Sequence, residues 1–76
     1  MITDQQIDET ILEQSAPEFL KIALVISRTS KILGQDSDEF YERIASRIEW
    51  LGRNGKLEAV GELSHWRNSE VRLLRQ

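Results

Sequence analysis

Apolar side chains recur at helical spacing in three successive stretches of this chain, which then changes to the every-second-residue spacing of strands. The first stretch places Ile7, Ile11 and Leu12 on a narrow stripe, with Asp4, Asp8, Glu9 and Glu13 over the rest of the circumference. Thr3 and Gln6 have the spacing of a capping box, so a helix is predicted to begin there, with acids near its amino end favoured by the dipole. The second stretch is the most apolar, with Phe19, Leu20, Ile22, Ala23, Leu24, Val25, Ile26, Ile32 and Leu33. Ser15 and Glu18 repeat the capping-box spacing and Pro17 suits a first turn, which predicts a helix from Ser15 to a stop at Gly34, central to the core. Its polar interruption, Arg28 to Lys31, reads as a solvated last turn or as a phosphate contact. In the third stretch Asp36 and Glu39 are spaced as another capping box. Phe40, Ile44, Ile48 and Leu51 then share one stripe with Tyr41 and Ala45 beside it, and Glu42, Arg43, Ser46, Arg47, Glu49 and Arg53 lie opposite, before Gly55.

Beyond Gly55 two short runs, 56–60 and 69–73, read as a hairpin. Setting Ala59 opposite Val71 also sets Leu57 opposite Leu73, so four apolar side chains face the helices, while the other face pairs Glu58 with Arg72. The interval from Gly61 to Asn68 is too long for a tight turn, and its Leu63 and Trp66 are expected to fold back over one end of the core. The expected class is therefore mainly α (α+β): three helices and a C-terminal two-stranded hairpin, in the order αααββ, which is the shape of a winged helix.

The run GKLEAVGELSHWRNSEVRLL, from Gly55 to Leu74, follows a helix containing IEWLGRN. It resembles the C-terminal segment of a family of bacterial domains of unknown function. The residues that carry the resemblance are Gly55, Lys56, Leu57, Glu58, Ala59, Gly61, Glu62, Leu63, Trp66, Arg67, Glu70, Val71, Arg72 and Leu73. The resemblance implies a winged-helix-like architecture and supplies no activity.

With 76 residues the chain is read as one domain, residues 1–76, small enough that one core supplies only roughly 3 to 5 kcal/mol. There is no cysteine, hence no disulfide or thiolate zinc site to reinforce it. The polar, acidic amino terminus and an apolar run no longer than Ile22 to Ile26 predict a soluble, unprocessed cytoplasmic protein with no membrane span. The net charge of -3 is uneven: residues 1–38 carry seven acids and three bases (-4), and residues 39–76 carry six acids and seven bases (+1).

Candidate chemistry is sparse. His65 is the only histidine and Glu62 and Glu70 lack a ligand spacing beside it, the serines lack a nucleophile-elbow context, and no glycine-rich loop cradles a phosphate. A chain this short has little room for a substrate pocket, so no enzyme, cofactor or metal is expected. Two readings follow. In the first, the domain is a protein-interaction module, self-associating or binding a larger partner, with Trp66 and Arg67 as an anchor pair because Trp and Arg dominate binding hot spots. Should Trp66 instead cap the core, Arg67 would pair with Glu62 or Glu70. In the alternative reading the third helix enters the DNA major groove with Arg43, Arg47 and Arg53, and the hairpin follows the backbone with Arg67 and Arg72. Overall acidity, and Asp36, Asp38, Glu39 and Glu42 crowding the start of the third helix, favour the interaction module.

Overall fold

The computed structural model of the protein describes residues 1–61 and 63–74, with only the backbone of residues 63–65. Helix α1 spans Asp4–Gln14, strand β1 Leu20–Lys21, helix α2 Ile22–Leu33, helix α3 Asp38–Arg53, strand β2 Leu57–Val60 and strand β3 Glu70–Leu73. A 3-10 helix, Leu63–Asn68, lies between the last two strands. The strands form one antiparallel sheet in the order β1-β3-β2, so the architecture is three helices with a small three-stranded sheet.

Helix α1 begins as the sequence indicates. Thr3 Oγ1 accepts the Gln6 amide at 3.1 Å and Gln6 Oε1 accepts the Thr3 amide at 2.8 Å, which satisfies two otherwise orphaned donors. The predicted start of the second helix at Ser15 is not where the chain places it. Ser15 caps the carboxyl end of α1, its hydroxyl donating to the Ile11 carbonyl at 2.8 Å, and α2 begins only at Ile22. Pro17 explains the difference: the residue before a proline is pushed out of the helical region, and Ala16 instead offers its carbonyl to the Leu73 amide at 2.8 Å. The chain then runs along β3, Leu20 opposite Val71 and Lys21 opposite Glu70, until the Ile22 amide bonds the Ser69 carbonyl at 3.0 Å. The sheet thus satisfies the first amide of α2 in place of a side-chain cap, and the order αααββ gains a strand between α1 and α2.

The cap of α3 is one residue later than the Asp36–Glu39 spacing predicts: the Ser37 hydroxyl accepts the Phe40 amide at 3.1 Å. The hairpin register agrees with the sequence reading at all three pairs, Leu57 with Leu73, Glu58 with Arg72 and Ala59 with Val71. One face of this sheet closes the core. Ile7 and Ile11 of α1, Ile22, Val25 and Ile26 of α2, the full Phe40, Ile44, Ile48, Leu51 stripe of α3, and Leu57, Val71 and Trp66 are all buried. Leu24 and Ile32 depart from the expectation of an all-apolar central helix, being 39% and 58% exposed on the outer side of α2.

Candidate interaction surface

The arginines proposed for a groove-reading helix lie on the polar side of α3, and where α1 crosses it the acids of α1 occupy Arg43 and Arg47. Arg43 donates from Nε and Nη2 to Asp4 Oδ1 at 3.3 and 3.0 Å, and from Nη2 to the Ile2 carbonyl at 2.9 Å. Arg47 makes a two-pronged pair with Asp8, Nε to Oδ1 and Nη2 to Oδ2, both at 2.8 Å, with Asp4 Oδ2 3.7 Å from its third nitrogen. Both members of the Arg47–Asp8 pair are largely shielded, with side chains 20% and 18% exposed. Hydrogen bonding to Asp8 holds the Arg47 guanidinium above its ordinary pKa, against the opposing cost of burial. Arg53 pairs with Glu49 one turn earlier on α3.

The hairpin residues are similarly engaged. Arg72 pairs with its cross-strand neighbour Glu58, and its guanidinium lies 4.7 Å from the centre of the Phe19 ring. Trp66 is only 9% exposed and its Nε1 donates to Glu42 Oε1 at 3.2 Å, so the 3-10 helix tucks the indole over the end of the core between α2 and α3. Trp66 is therefore a core residue with one polar tether. Exposed Arg67 stacks on that indole, 4.6 Å from its centre; of the two carboxylates expected to pair with it, Glu62 lies outside the described residues and Glu70 forms no ion pair with it. The side chains of Leu63 and His65 also lie outside the described residues.

The structure draws attention to a residue the sequence reading left aside. Trp50 is 44% exposed on α3, with the Arg47 guanidinium 4.6 Å from its ring centre. Its position carries the signal, since it falls two residues past Ile48 and outside the Phe40, Ile44, Ile48, Leu51 stripe, so a helix that buries that stripe turns position 50 outward. Arg43, Arg47, Trp50 and Arg53, at steps of three and four, line one strip of the surface: an indole stacked with Arg47, with Arg43 and Arg53 further along the helix, each arginine neutralised within the molecule.

Among the described residues no three side chains of metal-binding type converge, and no helix is long and apolar enough to cross a membrane. Comparison with protein-family models, with curated proteins and with solved structures finds no match.

Proposed function

We propose that this chain is a non-enzymatic protein-interaction module on a winged-helix-like scaffold, and that it meets its partner through the Trp50 strip of α3. The element order, with β1 between the first two helices and a sheet ordered β1-β3-β2, supports the winged-helix assignment; the β2–β3 hairpin is then the wing and α3 the helix in the recognition position. The observation that carries the function is exposed Trp50 amid Arg43, Arg47 and Arg53, whose charges Asp4, Asp8 and Glu49 already balance. Phosphate binding draws its affinity from cations that replace condensed counterions, and guanidiniums already paired with carboxylates release few. A large indole beside pre-positioned guanidiniums, on a strip with little net charge, suits a protein surface, where aromatic and arginine side chains supply most of the binding energy.

A photoreactive phenylalanine at position 50, expressed in cells, tests this reading. A discrete protein adduct is expected from position 50 and none from exposed Gln5 on α1. Trp50→Ala should leave stability within about 0.5 kcal/mol of the parent, as expected for a surface change. Crosslinks to nucleic acid, or no adduct, would remove the proposal.

A further inference from the structure

A second surface, separate from the Trp50 strip, lies on the outer side of α2. Lys21, Leu24, Arg28, Lys31 and Ile32 follow one another at helical spacing, and all five are exposed. Among the described residues, the arginines of α3 and β3 each have a carboxylate partner, whereas Arg28 and Lys31 have none. Lys21 stands opposite Glu70 in the sheet without forming an ion pair. The other acids near the stripe are occupied or displaced: Asp36 accepts the Tyr41 hydroxyl, Asp38 lines the neighbouring groove together with Ser27 and Arg67, and Glu18 precedes β1. Arg67, at the rim of that groove, extends the positive face toward Ala23 and Ser27.

The two aliphatic side chains make the face more than a patch of solvated cations. Ile32 and Leu24 are 58% and 39% exposed, and eight residues of helix set them about 12 Å apart with Arg28 midway. Neither contributes to the core. β-Branched Ile32 also forms helix less readily than a polar alternative, so nothing in the folding of α2 calls for it. We infer that the outer face of α2 docks an acidic amphipathic helix of a partner protein, whose aliphatic side chains cover Leu24 and Ile32 and whose carboxylates meet Arg28 and Lys31. Charge complementarity selects this occupant. A second copy in a two-fold arrangement would stack Arg28 and Lys31 on themselves. A phosphate backbone would leave the aliphatic pair unused. A bilayer would receive only two aliphatic side chains from a helix whose apolar side is already packed in the core.

The experiment titrates the labelled 76-residue chain with a synthetic Glu–Leu amphipathic helix and follows amide shifts by NMR. Its Lys–Leu counterpart, mixed-sequence duplex DNA and phosphatidylglycerol vesicles are titrated in parallel. The Glu–Leu helix is expected to saturate, with shifts confined to residues 21–35 and Arg67. Arg28→Glu combined with Lys31→Glu should weaken it at least tenfold, and Ile32→Asp alone should also weaken it; these exposed positions leave the melting transition in place as a check on folding. The proposal is overturned by failure of the Glu–Leu helix to saturate, by equal binding of the Lys–Leu helix, by shifts elsewhere, by tighter binding of duplex or vesicles, or by a dimer in sedimentation whose contact is this face. Because none of these probes engages Trp50, the crosslinking result and this one can fail independently.

Discussion

Tyr41 is the only tyrosine in the chain, and its hydroxyl donates to Asp36 Oδ1 just before α3 begins. That hydrogen bond, reinforced by a small desolvation and by the negative charge of Asp36 itself, raises its pKa above the ordinary value of about 10, because ionisation would set phenolate against carboxylate. A raised folded-state pKa means that the contact stabilises the protein fully below the unfolded-state value and ceases to do so as pH climbs through the folded-state value. An absorbance titration is therefore expected to place the tyrosinate transition above that of a free tyrosine, and Asp36→Asn to bring it down. A transition already at the free value in the parent would show that the contact does not form in solution. Trp50 belongs to the same scale. Its outward placement was legible from its position relative to Phe40, Ile44, Ile48 and Leu51, but the ties of Arg43 and Arg47 were not, because Asp4 and Asp8, which neutralise them, each lie 39 residues earlier.

At the scale of elements, the two glycines that flank β2 make opposite predictions. Gly52 lies within α3, where an added Cβ would meet nothing closer than the Leu57 carbonyl oxygen at 4.0 Å. Gly52→Ala should therefore stabilise the protein by about 0.5 to 1 kcal/mol, from the lower entropy and better helix propensity of alanine, a rise of several degrees in Tm. Gly61, after β2, has φ +92°, and a Cβ there would lie 2.8 Å from the Ser69 hydroxyl oxygen. Gly61→Ala should cost about 1 to 3 kcal/mol by thermal or urea melting. Equal effects of the two changes would contradict this reading of the hairpin entry.

The hairpin was legible in the sequence because two faces of an alternating pattern had to agree, and the pairs Leu57–Leu73 and Glu58–Arg72 left one register. Strand β1 was not. Two residues carry no periodicity of their own, and Leu20 and Lys21 are a strand only because β3 supplies the partner. The apolar run that follows them is divided by folding: Ile22, Val25 and Ile26 go inward, and Leu24 goes out. A run apolar on more than one face can be read as wholly buried, and only the number of neighbours available decides which face is left.

At the scale of the molecule, folding redistributes the charge. By sequence the cations sit in the second half (+1) and the acids in the first (-4). In the fold α1 lays Asp4 and Asp8 on Arg43 and Arg47, so two cations of the second half are neutralised by acids of the first, while Arg28 and Lys31 of the first half have no carboxylate partner among the described residues. Arg43 and Arg47 thereby become structural ties between α1 and α3. Asp4→Asn combined with Asp8→Asn should release them, changing the formal net charge from -3 to -1 (-3 + 2) at a cost of about 1 kcal/mol for pairs of mixed exposure. Duplex binding by fluorescence anisotropy across a salt series reads the consequence. The parent chain is expected to show no saturable binding at low salt, and the double variant a weak, sequence-independent binding whose log–log salt slope approaches roughly -2, for two guanidiniums returned to phosphate. A steep slope in the parent would mean that Asp4 and Asp8 do not hold Arg43 and Arg47 in solution, and α3 would then stand as a nucleic-acid reader. A flat response in both would mean that the Trp50 strip lacks the geometry for a groove even when its charges are free.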